Sequence, residues 1–176
     1  MISAPIYEDS VVDRVCYLGV DYATGEEVEI SETEALEQTM RTVGAFAGTR
    51  MLQKINTRDN IPVSVNYFDI TDPEATLKWH SKKFPTAIGR AWSAYERSTT
   101  GARRVGCSAS PGSSKIAELT IELLSTEDEL LSEERQTPDG RLIERVEYSY
   151  DGDGEISETR VYDSGNTLIQ VDRHDE

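Results

Sequence analysis

Hydrophobic and polar positions along the chain predict its elements in order. Val15-Cys16-Tyr17-Leu18-Gly19-Val20 is rich in strand formers, Ala23-Thr24-Gly25 supplies a turn, and Val28 and Ile30 alternate with Glu27 and Glu29. Residues 14–30 therefore predict a β-hairpin. Ser31 followed by Glu34 is a capping box, in which each residue satisfies an amide that the first helical turn leaves unpaired. Leu36, Met40, Val43 and Phe46 or Ala47 then recur at helical spacing, and Gly48 offers a stop. Two strands follow over residues 50–56 and 62–70, around the turn Thr57-Arg58-Asp59-Asn60.

Thr71-Asp72-Pro73-Glu74 is a second helix entry, with a cap, a proline at the first helical position and an acid on the positive end of the dipole. That helix carries Leu77, Trp79 and His80, and after Pro85 a second helical segment is expected to bear Ile88, Trp92 and Tyr95. Residues 106–114 read as a loop. From Lys115 the period changes to two: Ala117, Leu119, Ile121 and Leu123 alternate with mostly polar neighbours. Turn signals at Pro138-Asp139-Gly140, Asp151-Gly152-Asp153-Gly154 and Asp163-Ser164-Gly165-Asn166 separate strand-like runs at 141–150, 155–162 and 167–172. Asp139, Asp151 and Asp163 are spaced 12 residues apart, as in an antiparallel meander with a solvated face.

The expected fold is therefore α+β in a single domain over residues 1–176. A mixed hairpin and helix part covers 1–105, and an antiparallel sheet, the meander of residues 115–172, packs with two or three helices. Tyr148 through Gly154 and Tyr162 through Leu168 resemble YD-repeat sequence of bacterial surface and toxin proteins. A tyrosine ahead of an Asp-Gly turn arises in any meander, so this likeness assigns no family.

Charge changes the picture most. Net charge is −15, and it is uneven: residues 1–114 hold 15 acids against 12 bases, residues 115–176 hold 18 acids against 6 bases. Across residues 78–104, seven bases face the single acid Glu96. The candidate interaction residues are a basic face of Lys78, Lys82, Lys83, Arg90, Arg103 and Arg104, and an acidic sheet of Glu144, Glu147, Glu155 and Glu158. Such an acidic chain disfavours direct nucleic-acid binding. The aromatic residues interleaved with the bases read better as buried faces of amphipathic helices than as a stacking surface.

Chemistry-bearing motifs are sparse. Asp151-Gly152-Asp153-Gly154 has the look of a calcium loop, but that alignment puts Arg160 where a bidentate glutamate is needed, so no metal is expected. Nothing in their spacing brings Cys16 or Cys107 to His80, and no catalytic motif or cofactor-binding signature occurs. Two cysteines without a partner motif point to a reducing compartment, and residues 1–5 lack the start of a signal peptide. No run reaches the roughly 18 apolar residues of a membrane span.

The expectation is a non-catalytic assembly or interaction protein, cytoplasmic or virion-associated. It would be a phage or bacterial structural component binding a protein partner or itself through complementary charged surfaces. Two alternatives remain: an acidic mimic of nucleic acid that inhibits a DNA-binding protein, and a small-ligand or enzymatic domain with a pocket at Trp79, Trp92 and Tyr95.

Overall fold

The computed structural model describes residues 12–20 and 27–174. The turn expected at Ala23-Thr24-Gly25 and residues 1–5, on which the signal-peptide expectation rests, lie outside the described residues. Among the described residues the protein is mostly β, with 56% strand, 10% helix and 2 helices, which corrects the α+β expectation of a meander packed with two or three helices. The chain divides into two compact units, residues 1–92 with 109–115, and residues 93–108 with 116–176.

In the first unit, β1 (Arg14–Val20) pairs antiparallel with β2 (Glu27–Ile30), as the hairpin pattern predicts. The capping box at Ser31 forms, but α1 (Glu32–Leu36) lasts only five residues before β3 (Met40–Ala47) begins. The expected longer helix is absent for a physical reason. Thr42 and Val43 are β-branched, Gly44 weakens a helix, and Val43 through Phe46 are buried without interruption. A strand with both faces covered explains that run better than one helical stripe. Next come β4 (Arg50–Arg58) and β5 (Ile61–Tyr67), joined as expected around Asp59 and Asn60, both at positive φ as a two-residue hairpin turn requires.

The helix α2 (Pro73–Lys83) starts as predicted, with the Asp72 carboxylate accepting from the Ala75 amide at 2.9 Å. The segment beyond Pro85 is not helix but β6 (Ile88–Trp92), parallel to β5. This makes β5–α2–β6 a crossover unit, and the sheet order is β2-β1-β3-β4-β5-β6. Ile55, Val65, Tyr67, Phe84 and Ala87 form the core beneath α2. Burying an aliphatic side chain such as Ile55 stabilises by about 2 kcal/mol. His80 sits fully buried there, with Nδ1 2.9 Å from the Tyr67 hydroxyl and Nε2 3.0 Å from the Ala87 carbonyl. A carbonyl only accepts, so Nε2 carries the proton and Nδ1 accepts from Tyr67. Gly89 makes room for the ring, since a Cβ there would stand 2.6 Å from His80 Cδ2.

The second unit is the expected meander, and it is larger than the sequence pattern indicates. The short strand β7 (Glu96–Ser98) pairs with β8 (Gly101–Ala109), which takes up the first part of the segment read as a loop. Then β9 (Glu118–Leu124), β10 (Leu130–Gln136), β11 (Leu142–Tyr150), β12 (Ile156–Tyr162) and β13 (Leu168–Arg173) follow, each antiparallel to the one before.

Four loops of one design connect β9 through β13. In each, the first residue's amide bonds to the fifth residue's carbonyl: Ser125 to Glu129, Thr137 to Arg141, Asp151 to Glu155 and Asp163 to Thr167, at 2.8–3.0 Å. The fourth residue adopts positive φ: Asp128 at 67°, Gly140 at 83°, Gly154 at 83° and Asn166 at 60°. The first residue's side-chain oxygen accepts amides within its own loop. Ser125 takes Glu127 and Glu129, Thr137 takes Arg141, Asp151 takes Asp153 and Glu155, and Asp163 takes Gly165 and Thr167. This is the side-chain turn that Ser, Thr and Asp favour. The evenly spaced aspartates are therefore not equivalent: Asp139 is third in its loop, and Thr137 is the residue that corresponds to Asp151 and Asp163.

Replacing Asp163 with alanine removes two accepted amide bonds and is expected to lower stability by about 1 kcal/mol. Asp139→Ala, outside the closing position, should change it little. Urea unfolding of the two variants checks this, and equal losses would contradict the equivalence of the loops.

Candidate interaction surface

The meander carries its charges in ordered groups on both faces. On one face, Glu122 is 7% exposed, with Arg104 Nε 2.6 Å away and the Tyr95 hydroxyl donating to it at 2.9 Å. The Arg104 guanidinium also stacks 4.5 Å above the Tyr95 ring. Burial and the neighbouring Glu122 push the Tyr95 hydroxyl up to about 12, so it stays a donor. On the same face Arg135 joins Glu118 at 2.8 Å and Glu144 at 3.3 Å. Those bonds hold its guanidinium protonated more firmly than usual.

Glu133 stands directly opposite Glu122 in the strand register. Burial raises its pKa first, and the facing charge of Glu122 raises it further.

The other face repeats the tyrosine–arginine–glutamate arrangement. Arg145 stacks 4.4 Å above Tyr162, the Tyr162 hydroxyl donates to Glu147 at 2.8 Å, and Arg145 reaches the same carboxylate at 3.2 Å. Glu158 meets Arg160 at 2.5 Å and Arg173 at 3.2 Å. From β11 to the end of β13 no described residue is buried.

The structure separates the residues singled out from the sequence. Lys78, Lys82 and Lys83 are exposed on α2 and Arg90 is exposed on β6, all in the first unit. Arg103 is exposed on β8 in the second unit, and Arg104 beside it serves Glu122. Of the acids, Glu144, Glu147 and Glu158 each have an arginine from the chain itself, while Glu155 is exposed in a loop. Alternation along β11 puts Glu144 and Glu147 on opposite faces.

Trp79 packs edge-on against Tyr67 and Phe84, Trp92 ends β6, and Tyr95 belongs to the second unit. These three line neither of two surface hollows. One, of about 510 Å³, is bordered by Leu18, Ile30, Glu34 and Met40. The other, of about 460 Å³, is bordered by Arg97, Arg103, Leu123 and Leu131. Asp151 Oδ1 is occupied by two loop amides. Burial lowers the His80 pKa and both its ring nitrogens are engaged, so the ring is a neutral structural group.

The strand at 167–172 forms as expected, and the feature sequence reasoning missed is its full exposure at the end of the meander. All six residues of β13 are exposed, Leu168 at 47%, Ile169 at 60% and Val171 at 41% among them. Among the described residues no strand pairs with its outer edge. The signal was present in the apolar residues of 168–171 beyond a turn, with neither proline nor lysine to guard them. No helix among the described residues is long and apolar enough to cross a membrane. Compared with known proteins, the chain matches no protein-family model, and no curated protein is significantly similar to it.

The raised Glu133 pKa makes a signed prediction. A carboxyl whose folded pKa lies above its unfolded value destabilises the fold increasingly as pH rises between the two, and fully above the folded pKa. Glu133→Gln should therefore be more stable than the parent near neutral pH, with the advantage fading as pH approaches about 4. Denaturant melts across that range read it, and a difference independent of pH would contradict the assignment.

Proposed function

We propose that the chain is a non-catalytic assembly protein that works through its surfaces. The observation that carries this reading is β13, exposed along its length with three exposed aliphatic side chains and an outer edge that no described strand pairs. An edge of that kind is a template for another strand, and natural sheets commonly blunt it when no partner is meant to bind. The chemistry of the interior supports the same reading. His80 is consumed by Tyr67 and Ala87, and Glu122 by Arg104 and Tyr95, which leaves neither group poised as an acid, base or nucleophile.

The exposed lysines of α2 and Arg90 remain available for a charged contact of the kind found in phage or bacterial structural components. The acidic mimic has less support, because Glu144 lies on one face, Glu147 and Glu158 lie on the other, and internal arginines neutralise all three.

Light scattering across a wide range of protein concentration, at low and high salt, tests the proposal. The expected outcome is a mass that rises with concentration. A part of that rise that salt abolishes belongs to charged faces, and a part that persists belongs to the strand edge. A monomer under every condition would contradict self-assembly.

A further inference from the structure

We infer that β13 pairs with the β13 of a second copy, antiparallel, about a two-fold axis passing through Val171. This rests on the assembly reading and supplies the contact it requires. Three observations carry it, beginning with the repeat within the meander.

Ser125 and Asp151 open loops at one end of the sheet, and Thr137 and Asp163 open loops at the other. Both pairs are separated by the same 26 residues. By that period β13 corresponds to β11, and Leu168-Ile169 corresponds to Leu142-Ile143. The outer edge of β11 is covered by β12, in the register Arg145 to Tyr162, Val146 to Val161 and Glu147 to Arg160. On β13 the corresponding edge is open among the described residues. The fold thus covers the equivalent edge one repeat earlier with an antiparallel strand.

The second observation fixes which backbone groups are offered. The His174 amide donates to the Ser157 carbonyl, so residue 174 faces β12. In an antiparallel ladder the inward and outward groups alternate along the strand. Asp172 therefore also faces β12, and the N–H and C=O of Val171 and Arg173 point outward.

The third is that the edge is complementary to itself in one register. Residues opposite one another across an antiparallel pair lie on the same face, and a two-fold axis normal to the sheet preserves the faces. Centring on Val171 places Val171 opposite its twin, each N–H donating to the other's carbonyl. Gln170 then falls opposite Asp172 of the second copy, and Asp172 opposite its Gln170, an amide donor against a carboxylate in both directions. These side chains share a face and already meet within the strand, with Gln170 Nε2 donating to Asp172 Oδ2 at 2.6 Å. Arg173 is held by Glu158, so its charge does not guard the edge alone.

The test combines two kinds of variant. Val171→Pro removes the central outward N–H but no bond to β12, and edge strands tolerate proline. It is expected to weaken self-association by about tenfold or more while unfolding of the chain is unchanged. Under mild oxidation Val171→Cys should give a disulfide-linked dimer, because hydrogen-bonded opposite residues have Cα atoms about 5.5 Å apart. Arg173→Cys should not, since its twin lies about four residues away along the strand, on the order of 13 Å. The native Cys16 and Cys107 are free but buried, so a double Cys16→Ser and Cys107→Ser background serves as the control.

Self-association that survives Val171→Pro, or equal cross-linking at 171 and 173, would overturn this register and leave the assembly reading standing. A chain that stays monomeric at all concentrations would overturn both. A monomeric chain that binds a foreign β-strand peptide at β13 would overturn pairing with a second copy.

Discussion

In the meander each strand from β9 onward is joined to the next by a five-residue loop closed by its own first side chain, and the rest of that unit depends on this closure. The loop reverses the chain with one residue at positive φ, supplied by Asp128, Gly140, Gly154 or Asn166. The Ser, Thr or Asp at its head satisfies amides that no ladder reaches. Register is thereby set locally, loop by loop. This matters because β11, β12 and β13 have no buried side chain to fix it.

Without a core on either face, the outer strands draw their cohesion from the backbone ladder and from charge pairing across strands. The Tyr162–Arg145–Glu147 group of β11 and β12 shows how, and Tyr95–Arg104–Glu122 repeats the arrangement at β8 and β9. In each, a guanidinium lies over an aromatic ring and neutralises the carboxylate that the same ring's hydroxyl donates to. Exposed pairs of this type contribute little singly, but the group at Glu122 is mostly buried, and losing one partner there would strand a charge. Much of the acidity that dominates the composition is thus internal structure. Among the described residues, the outer edge of β13 is the one these strands leave unpaired.

The sequence was legible where local chemistry decides. The capping box at Ser31, the entry to α2 at Asp72-Pro73, the turn at Asp59-Asn60 and the meander after Lys115 all rest on residues within one turn of each other. It was illegible where tertiary burial decides. Leu36, Met40, Val43 and Phe46 fit a helical spacing, yet their place between β1 and β4 makes residues 40–47 a strand. Ile88-Gly89-Arg90-Ala91-Trp92 is a strand because β5 and His80 lie where it passes, which no local pattern reveals. The equal spacing of Asp139, Asp151 and Asp163 gave the correct hairpins for a partly wrong reason, since Thr137 rather than Asp139 closes its loop. Site reading from charge alone separated acids from bases along the chain, but could not see that Arg104, Arg135 and Arg145 fold back onto the acids.

The outer edge of β13 is the proposed recognition element, and amide hydrogen exchange followed by NMR as protein concentration rises is the measurement to make. If β13 pairs with a second copy, the outward amides of Val171 and Arg173 become slower to exchange as concentration increases, while Asp172, bonded toward β12, changes little. Fast exchange at Val171 that is independent of concentration would contradict it.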